Sequence, residues 1–323
     1  MRPPGVPCSR RGRSCSWASP FPLSPQPVRI GTRASKLALT QSGMIQRRIA
    51  AALGAAPEAA DGVAPLIRIT TSGDRIQDRS LTDIGGKGLF TKEIEEALLD
   101  GRIDCAVHSL KDMPARLPPG LVIAAIPERE DPRDAFLSAA ADNIAALQHG
   151  AALASASLRR QAQALHRRPD LRIIPMRGNV DTRIAKLDAG EADALILALA
   201  GLRRLGLGHL PRSLIDPVEQ PPAPGQGALA IETRVEDQDA PWALALRHAP
   251  TAIAVAAERG ALEALDGSCR TAVGAHAWLD GARRFRREGE ADVAGAQAEA
   301  QARDLGWRLG EAVRAEGGTA LTP

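Results

Sequence analysis

The sequence predicts an α/β fold of two or three domains, the last of which opens with a strong helix. Two observations lead to this prediction. Short apolar strands alternate with helices in two successive blocks, and a proline-rich stretch at 216–227 then interrupts the alternation before a strong helix begins. Alternating strands and helices are typical of parallel sheets with right-handed crossovers. Proline clusters are typical of stiff connections between domains.

The first block has clear helical and strand-like segments. Ile45, Ile49 and Leu53 recur at helical spacing, and Gly101 marks the predicted end of the second helix. The predicted elements of this block are strands at 28–32, 66–70, 103–109 and 120–127, and helices at 37–53 and 89–101.

The second block repeats this alternation. A buried apolar run at 193–202 closes it, and one more strand follows the prolines at 228–234. The remaining predicted elements are strands at 151–157 and 171–176, helices starting at 158 and 180, a helix at 251–265 that opens the last domain, and an amphipathic helix at 305–317.

The charge balance argues against general nucleic-acid binding. The 323 residues contain 41 Lys and Arg against 38 Asp and Glu, but residues 1–27 hold four arginines and no acid. The rest of the chain therefore has 37 basic and 38 acidic residues and is close to neutral. Binding to nucleic acid needs a net basic face.

The N-terminal extension and the cysteines suggest a protein of the cytoplasm. Residues 1–27 are rich in Pro, Ser and Arg and lack both an amphipathic helix and a secretory apolar core. We interpret them as a disordered extension or a misplaced start, with a targeting segment as the alternative. There is no apolar run of membrane-spanning length. The four cysteines have neither disulfide nor zinc spacing, so no metal site is predicted.

One of these cysteines lies in an unusual place. Cys269 follows Gly267 and Ser268, which are turn residues, and precedes Arg270. A structural free thiol is usually buried as a small hydrophobe. The pattern therefore predicts a reachable thiol.

Charged and hydroxyl side chains follow five of the predicted strands. Ligands of open α/β sheets bind beyond the carboxyl ends of the strands. The residues at these ends are Arg33 and Ser35, Lys111 and Asp112, Ser155, Ser157, Arg159 and Arg160, Arg177 and Arg183, and Arg203 and Arg204. Arginine is well suited to gripping carboxylates. The series predicts a ligand that carries several carboxylates.

Each of these signals is weak when taken alone. An Arg doublet is usually a solvated helix face, and a Lys–Asp pair is usually a surface pair. His108 is predicted to be a core or supporting residue. The glycine-rich stretch at 85–90 fails the phosphate-loop pattern, so we expect a lid-like loop at 72–88, with Lys87 and the neighbouring Phe90 close to the ligand.

Several long segments resemble the porphobilinogen deaminase family, whose members are also called hydroxymethylbilane synthases. The resemblance runs from about Val28 to Gly274. The segments that carry it are RIGTRASKLAL, GGKGLFTKEIEEALLDGRID, AVHSLKDMP, EREDPRDAFLS, LRRQAQ, MRGNVDTRIAKLDAGEADALILALAGLRRLGL and APGQGALAIE.

The resemblance implies a transferase of tetrapyrrole biosynthesis. Such an enzyme joins four porphobilinogens head to tail, releases ammonia at each step and uses a dipyrromethane cofactor as primer. The cofactor is held by a thioether that corresponds to Cys269, and a thiolate is a suitable nucleophile for capturing a pyrrole electrophile. A six-ring chain carries about twelve negative charges if every acetate and propionate is ionised. The family expectation is a cytoplasmic monomer that binds neither nucleic acid nor membrane.

The resemblance also implies a role for each site residue. Asp112 corresponds to the catalytic aspartate, which faces the pyrrole N–H and stabilises positive charge. The residues implied to bind the cofactor are Cys269, Lys111, Asp112, Ser157, Arg159 and Arg160. The residues implied to bind carboxylates of the substrate and growing chain are Arg33, Ser35, Arg177, Arg183 and Arg204.

The resemblance implies a fold of two similar doubly wound, solute-binding-protein-like α/β domains plus a smaller α+β C-terminal domain, and it gives the expected boundaries. These are an extension at 1–27, a first domain at 28–127 plus 227–245, a second at 133–221, and a third at 249–323 that carries the cysteine. Ala156 stands where the family has a serine, and Asp83 stands where a lysine is frequent. The third domain looks shortened between Trp278 and Trp307.

Two other functions were weighed. A non-catalytic module that binds small anions or solutes on the same fold would carry no covalent cofactor, and such modules are usually exported. A nucleic-acid binder using the basic extension would need a footprint that the near-neutral remainder does not offer. Fold alone does not decide function.

Overall fold

The computed structural model describes residues 26–75, 91–267, 271–279 and 297–317. Ten strands are described. In chain order they are β1 (Ile30–Thr32), β2 (Leu66–Arg68), β3 (Cys105–Ser109), β4 (Leu121–Ala125), β5 (Asp134–Leu137), β6 (Ala152–Ala154), β7 (Arg172–Ile174), β8 (Ala194–Ala198), β9 (Ser213–Leu214) and β10 (Leu229–Arg234).

The described helices lie between and around these strands. In chain order they are α1 (Lys36–Ala52), α2 (Ala60–Val63), α3 (Ser72–Arg75), α4 (Lys92–Leu99), α5 (Leu158–Arg167), α6 (Val180–Asp188), α7 (Leu199–Arg204), α8 (Pro241–Leu244), α9 (Ala249–Ala264) and α10 (Ala298–Gly317). Short 3₁₀ turns occupy Pro57–Ala59, Leu110–Asp112 and Val235–Asp237.

The strands form two five-stranded sheets, and the α/β prediction is confirmed. The first sheet has the order β2-β1-β3-β10-β4, and the second has the order β7-β6-β8-β5-β9. The buried apolar side chains of β1, β3 and β10 include Ile30, Cys105 and Ile231, which pack with Ile45 and Ile49 of α1. The second sheet has a separate core on each face, one around Leu195 and one around Phe136.

Both sheets are mixed rather than purely parallel, so the prediction of parallel sheets is wrong for part of each. Strand β10 is antiparallel to β3 and β4, and β5 is antiparallel to β8 and β9. The physical reason is the path of the chain. It crosses from the first sheet to the second after β4 and returns to the first through β10, and each crossing strand enters its sheet from the side that faces the other sheet.

Two segments cross between the sheets, one at 126–133 and one at 215–228, and these crossing segments run side by side. The backbone N–H of Glu130 donates to the carbonyl of Gly227 at 3.3 Å. Gly227 has a φ of 89°, and a Cβ there would overlap with the carbonyl oxygen of Glu130, so only glycine fits. The close approach of the two segments therefore depends on this glycine.

The C-terminal helices α9 and α10 pack against each other, and α9 also contacts the crossing segments. Gly260 and Gly306 allow α9 and α10 to approach closely, since a Cβ at either position would overlap with backbone of the other helix. Glu258 of α9 is fully buried and pairs with Arg129 at 2.8 Å. It also accepts the backbone N–H of Gly225 at 2.7 Å, which ties α9 to the second crossing segment.

Candidate active site

A cleft with a volume of about 830 Å³ opens between the two sheets. It lies beyond the carboxyl ends of β1, β3, β7 and β8, where α/β folds bind ligands. Of the candidate residues, those that line it are Arg33, Ser35, Lys111, Asp112, Arg160, Arg177, Arg183 and Arg204. The structure therefore brings together side chains from strand ends that are far apart in sequence.

Arg33 and Ser35 lie in the turn between β1 and the start of α1. The guanidinium of Arg33 forms an ion pair with Asp74. Burial alone would raise the pKa of Asp74, but the hydrogen bond from Arg33 lowers it below the usual value. Ser35 caps α1, because its hydroxyl oxygen accepts the backbone N–H of Ala38 at 3.3 Å.

Lys111 and Asp112 are presented by the 3₁₀ turn that follows β3. A backbone hydrogen bond holds this turn in place, in which the N–H of Leu110 donates to the carbonyl of Ala228 at 3.0 Å. Burial lowers the pKa of Lys111 to about 8, while the charge of Asp112 opposes this shift. Asp112 itself is exposed, and among the described residues no hydrogen bond or ion pair holds its carboxylate.

Arg159 and Arg160 face inward from the first turn of α5. Their guanidinium groups clamp the two carboxylate oxygens of Asp134 at 2.8 and 2.7 Å. Gln226 donates its amide to the same carboxylate at 2.9 Å. We call these four residues the Asp134 cluster. Burial alone would raise the pKa of Asp134, but the two arginines outweigh it and hold the pKa far below the usual range.

The two arginines of this cluster differ in their relation to the cleft. Arg160 still lines it, whereas Arg159 is among the buried residues behind the lining. Arg159 also donates to the carbonyl of Pro221 at 2.8 Å and to the side chain of Gln163 at 2.9 Å. Most of its donors therefore already have partners within the protein.

Arg177, Arg183 and Arg204 form one wall of the cleft, which we call the open wall. No carboxylate within the described part of the chain pairs with any of them. Arg183 donates to the carbonyl of Gly178 at 2.8 Å, and Arg204 donates to the carbonyl of Gly227 at 2.6 Å. Burial lowers the pKa of Arg183, and the neighbouring charges of Arg160 and Arg177 lower it further.

Ser157 caps α5 and lies outside the cleft lining. Its hydroxyl oxygen accepts the backbone N–H of Arg160 at 3.5 Å. Ala156, which precedes it, is exposed and does line the cleft. The position where the family has a serine therefore faces the ligand space with a methyl group.

Three predicted residues lie outside the described part of the chain, namely Cys269, Lys87 and Phe90. The same holds for Asp83, for residues 1–25 and for most of the segment between Trp278 and Trp307 that looked shortened. Cys105, in contrast, is fully buried in β3, and burial raises the pKa of its thiol. This thiol is therefore unsuited to act as a nucleophile.

Sequence reasoning missed several residues in the cleft wall and behind it. Asp134 and Gln226 organise the Asp134 cluster, and Gln41 donates to the hydroxyl of Ser109 at 2.9 Å in the cleft wall. The segments that contain Asp134 and Gln226 were recognised in the resemblance, but no role was given to either residue. An acid at the start of a buried strand was the available signal, since such a group needs a cationic partner.

His108 behaves as predicted for a core residue. It is buried in β3, and its Nε2 lies 3.0 Å from a carboxylate oxygen of Glu232 on β10. In the part of the chain that is described, no group of His, Cys, Asp and Glu side chains is arranged to hold a metal ion. Nor does that part contain a helix long and apolar enough to cross a membrane.

The cleft concentrates positive charge. Eight Lys and Arg side chains line it against three Asp side chains. The Nε of Arg204 is buried and has no acceptor among the described residues. Neighbouring cations and unused donors both favour an anionic ligand with several acceptor oxygens. The fold and the cleft thus define a two-sheet α/β protein with a cation-lined cleft between its sheets.

Comparisons with known proteins agree with this description and identify the family to which the chain belongs. The family model described as "Porphobilinogen deaminase, dipyromethane cofactor binding domain" matches residues 28–241. The chain is 66% identical over 314 residues to a porphobilinogen deaminase of Caulobacter sp. strain K31, covering 93% of this chain and 99% of that protein. It is also 66% identical over 312 residues to one of Phenylobacterium zucineum, covering 91% and 98%. The chain belongs to the porphobilinogen deaminase family.

Solved structures of solute-binding proteins are only weakly similar to this chain. The methionine-binding protein MetQ has 14% identity and a TM-score of 0.42, covering 68% of this chain and 89% of its own. The aliphatic sulphonate binding protein SsuA from Escherichia coli has 16% identity and a TM-score of 0.41, covering 74% and 70%. The fold assignment depends on the two sheets themselves and not on this likeness.

Proposed function

We propose that this chain condenses four porphobilinogen molecules head to tail, with release of ammonia, to give the linear tetrapyrrole hydroxymethylbilane. The relatives named above are porphobilinogen deaminases, which favours this enzyme over a non-catalytic solute-binding module. One structural observation carries the proposal: an unpaired carboxylate, Asp112, stands exposed in a cleft lined by cations. The cations suit the acetates and propionates, and the carboxylate of Asp112 is suited to stabilise a developing positive charge.

The family model implies a dipyrromethane cofactor, and the residues of the cleft fit this group. A dipyrromethane carries four carboxylates on two pyrrole rings, and the buried unpaired Nε of Arg204 and the desolvated ammonium of Lys111 are donors without a strong acceptor. We propose that Lys111, Arg160 and Asp112 hold the cofactor, supported by Ser157 and Arg159 from behind. Arg33, Ser35, Arg177, Arg183 and Arg204 would hold carboxylates of the growing chain.

The cofactor, attached through a thioether to Cys269, would supply the ring to which the first substrate is joined. The chain's own residues would do the rest. Asp112 can accept a hydrogen bond from a pyrrole N–H, hold negative charge opposite the positive species that forms as ammonia leaves, and exchange a proton during ring coupling. Lys87 and Phe90 are proposed to contact the ligand from their loop.

Three further features belong to the proposal. We propose domain boundaries at 28–127 plus 227–245, 133–221 and 249–323, and the two crossings of the chain between the sheets support them. The protein acts as a monomer, as the family resemblance implies. It works in the cytoplasm, which the four cysteines without disulfide spacing support.

The experiment that tests the function is an intact mass measurement combined with an activity assay. The purified protein is expected to exceed its sequence mass by two linked pyrrole units and to convert porphobilinogen to hydroxymethylbilane. Cys269→Ala is expected to lose both the added mass and the activity. Cys105→Ala is the matched control, since that thiol is buried in β3, and it is expected to keep both. Added mass that persists in Cys269→Ala would contradict the anchor assignment.

A further inference from the structure

The mouth of the cleft holds an acidic residue that the proposed function does not explain. Of the three aspartates that line the cleft, Asp74 is paired with Arg33 and Asp112 is the proposed catalytic group. The third, Asp181, lies in the first turn of α6. A carboxylate at this position repels the carboxylates of any ligand that enters, so it opposes binding unless it is neutralised.

Asp181 is neutralised from the other side of the cleft. Its carboxylate oxygen lies 3.4 Å from the Nζ of Lys36, the first residue of α1. The helix α1 packs with the first sheet and α6 with the second, so the pair spans the cleft. Both side chains are well exposed, at 64% and 44%, and both line the cleft. Such a pair is weak and is easily exchanged for another partner.

Lys36 is also poorly placed for helix stability. It lies at the N-terminus of α1, where the helix dipole disfavours a cation. The same end carries Arg33 and Ser35 a few residues earlier, and both line the cleft. A cation that costs helix stability at the mouth of an anion-binding cleft is explained if its partner is an anionic ligand.

We propose that Lys36 is a further carboxylate-binding residue of the cleft, and that Asp181 occupies the place of a ligand carboxylate on Lys36 until the growing chain arrives. The inference rests on the proposed function and names an additional site for its substrate class. As the chain grows, one of its carboxylates takes Asp181's position on Lys36. Asp181 then weakens retention of the polycarboxylate and favours its release.

A different role for the pair makes a different prediction. If Lys36 and Asp181 were only a clamp that holds the two sheets together, removing either partner would have the same effect. If Asp181 competes with the ligand for Lys36, removing Lys36 weakens binding whereas removing Asp181 strengthens it. The direction of the two effects therefore separates the two roles.

The test compares Lys36→Gln, Asp181→Asn and the double variant with the wild-type holoenzyme. Two readouts are used: the KM for porphobilinogen, and the dissociation constant of the hexacarboxylate mellitate measured by calorimetry at low ionic strength. We expect Lys36→Gln to raise both by about two- to fivefold and Asp181→Asn to lower both by about the same factor, as for an exposed ion pair. In the Lys36→Gln background, the effect of Asp181→Asn is expected to shrink toward none.

Two results would overturn the inference. Shifts in the same direction for both single variants would indicate a clamp, and an undiminished effect of Asp181→Asn in the double variant would indicate long-range repulsion that does not act through Lys36. Arg308→Gln and Asp304→Asn remove an exposed pair on α10 and serve as matched controls, with no expected change. A wild-type protein without turnover and without the added pyrrole mass would instead contradict the proposed function itself.

Discussion

The Asp134 cluster and the open wall of the cleft use the same residue types in opposite ways. In the cluster, two arginines and a glutamine surround one buried carboxylate, so one of the two positive charges is balanced within the protein. In the open wall, Arg177 and Arg183 have no carboxylate partner among the described residues, and Asp112 stands exposed opposite them. The position of a charged residue at a strand end predicts that it lies near the cleft. Whether its charge is available to a ligand depends on the partner that it has within the protein.

The two aspartates provide the sharpest form of this comparison. Asp112→Asn is expected to keep the fold and to lose about 10²–10⁴ in turnover, because asparagine has similar size but neither negative charge nor an exchangeable acid proton. The measurement is single-turnover ammonia release by the variant prepared with its cofactor, together with its melting temperature. Release at a near-normal rate would remove Asp112 from the catalytic role.

Asp134→Asn, in contrast to Asp112→Asn, is expected to lower the free energy of unfolding. Removing one partner of a buried ion pair costs about 3–5 kcal/mol, because Arg159 and Arg160 would remain buried without a counter-charge. The free energy of unfolding from urea titration checks this.

The pH dependence of the same variant gives a second check. The folded state lowers the pKa of Asp134, so its stabilising contribution is complete above the ordinary Asp pKa of about 3.9 and declines as the pH falls below it. The stability difference between wild type and Asp134→Asn is therefore expected to narrow below about pH 4. A constant difference from pH 6 to pH 3 would contradict the buried ion pair.

Replacing one arginine from each region should separate binding from stability. Arg177→Leu is expected to leave the melting temperature unchanged and to weaken binding of the growing chain by about 1.5–3 kcal/mol, the usual value of a hydrogen bond to a charged group. Arg159→Leu is expected to destabilise the protein, because it leaves Asp134 with one arginine only. Native mass spectrometry of the enzyme–substrate complexes and thermal unfolding provide the two readouts. Equal thermal destabilisation in both variants would remove the distinction between the regions.

The smallest expected effect concerns Lys111, which lies between the two regions. Its pKa is lowered to about 8, so its charge is lost as the pH rises from about 8 toward 9.5. A carboxylate ligand favours the charged form, so binding should take up a proton and weaken over this range. Loading of the cofactor-free protein with its dipyrromethane, measured as added mass, is expected to weaken a few-fold from pH 8 to 9.5, and Lys111→Arg should reduce this loss because arginine stays charged. An equal loss in both proteins would assign it to another group.

The sequence predicted most of the strands and the residues of the cleft, because strand ends meet along one edge of an α/β sheet. It did not predict β5 or β9 as strands. Strand β5 begins with a charged residue, Asp134, whose counter-charges lie 25 and 26 positions later in the chain. Nor did it predict the antiparallel direction of β10, which depends on where the chain returns. The sequence also could not predict the partners of Arg159 and Asp181, because the fold decides which residues far apart in the chain form pairs.

The order of the strands also constrains how the protein emerges from the ribosome. Among the strands that the structure describes, β4 pairs only with β10, and β10 lies between β3 and β4 in the first sheet. The second sheet, from β5 to β9, is continuous in sequence and is synthesised before β10. Domains generally fold as units during synthesis. The second sheet can therefore be complete while β4 still lacks its strand partner, and the cleft forms only when β10 inserts and closes the first sheet.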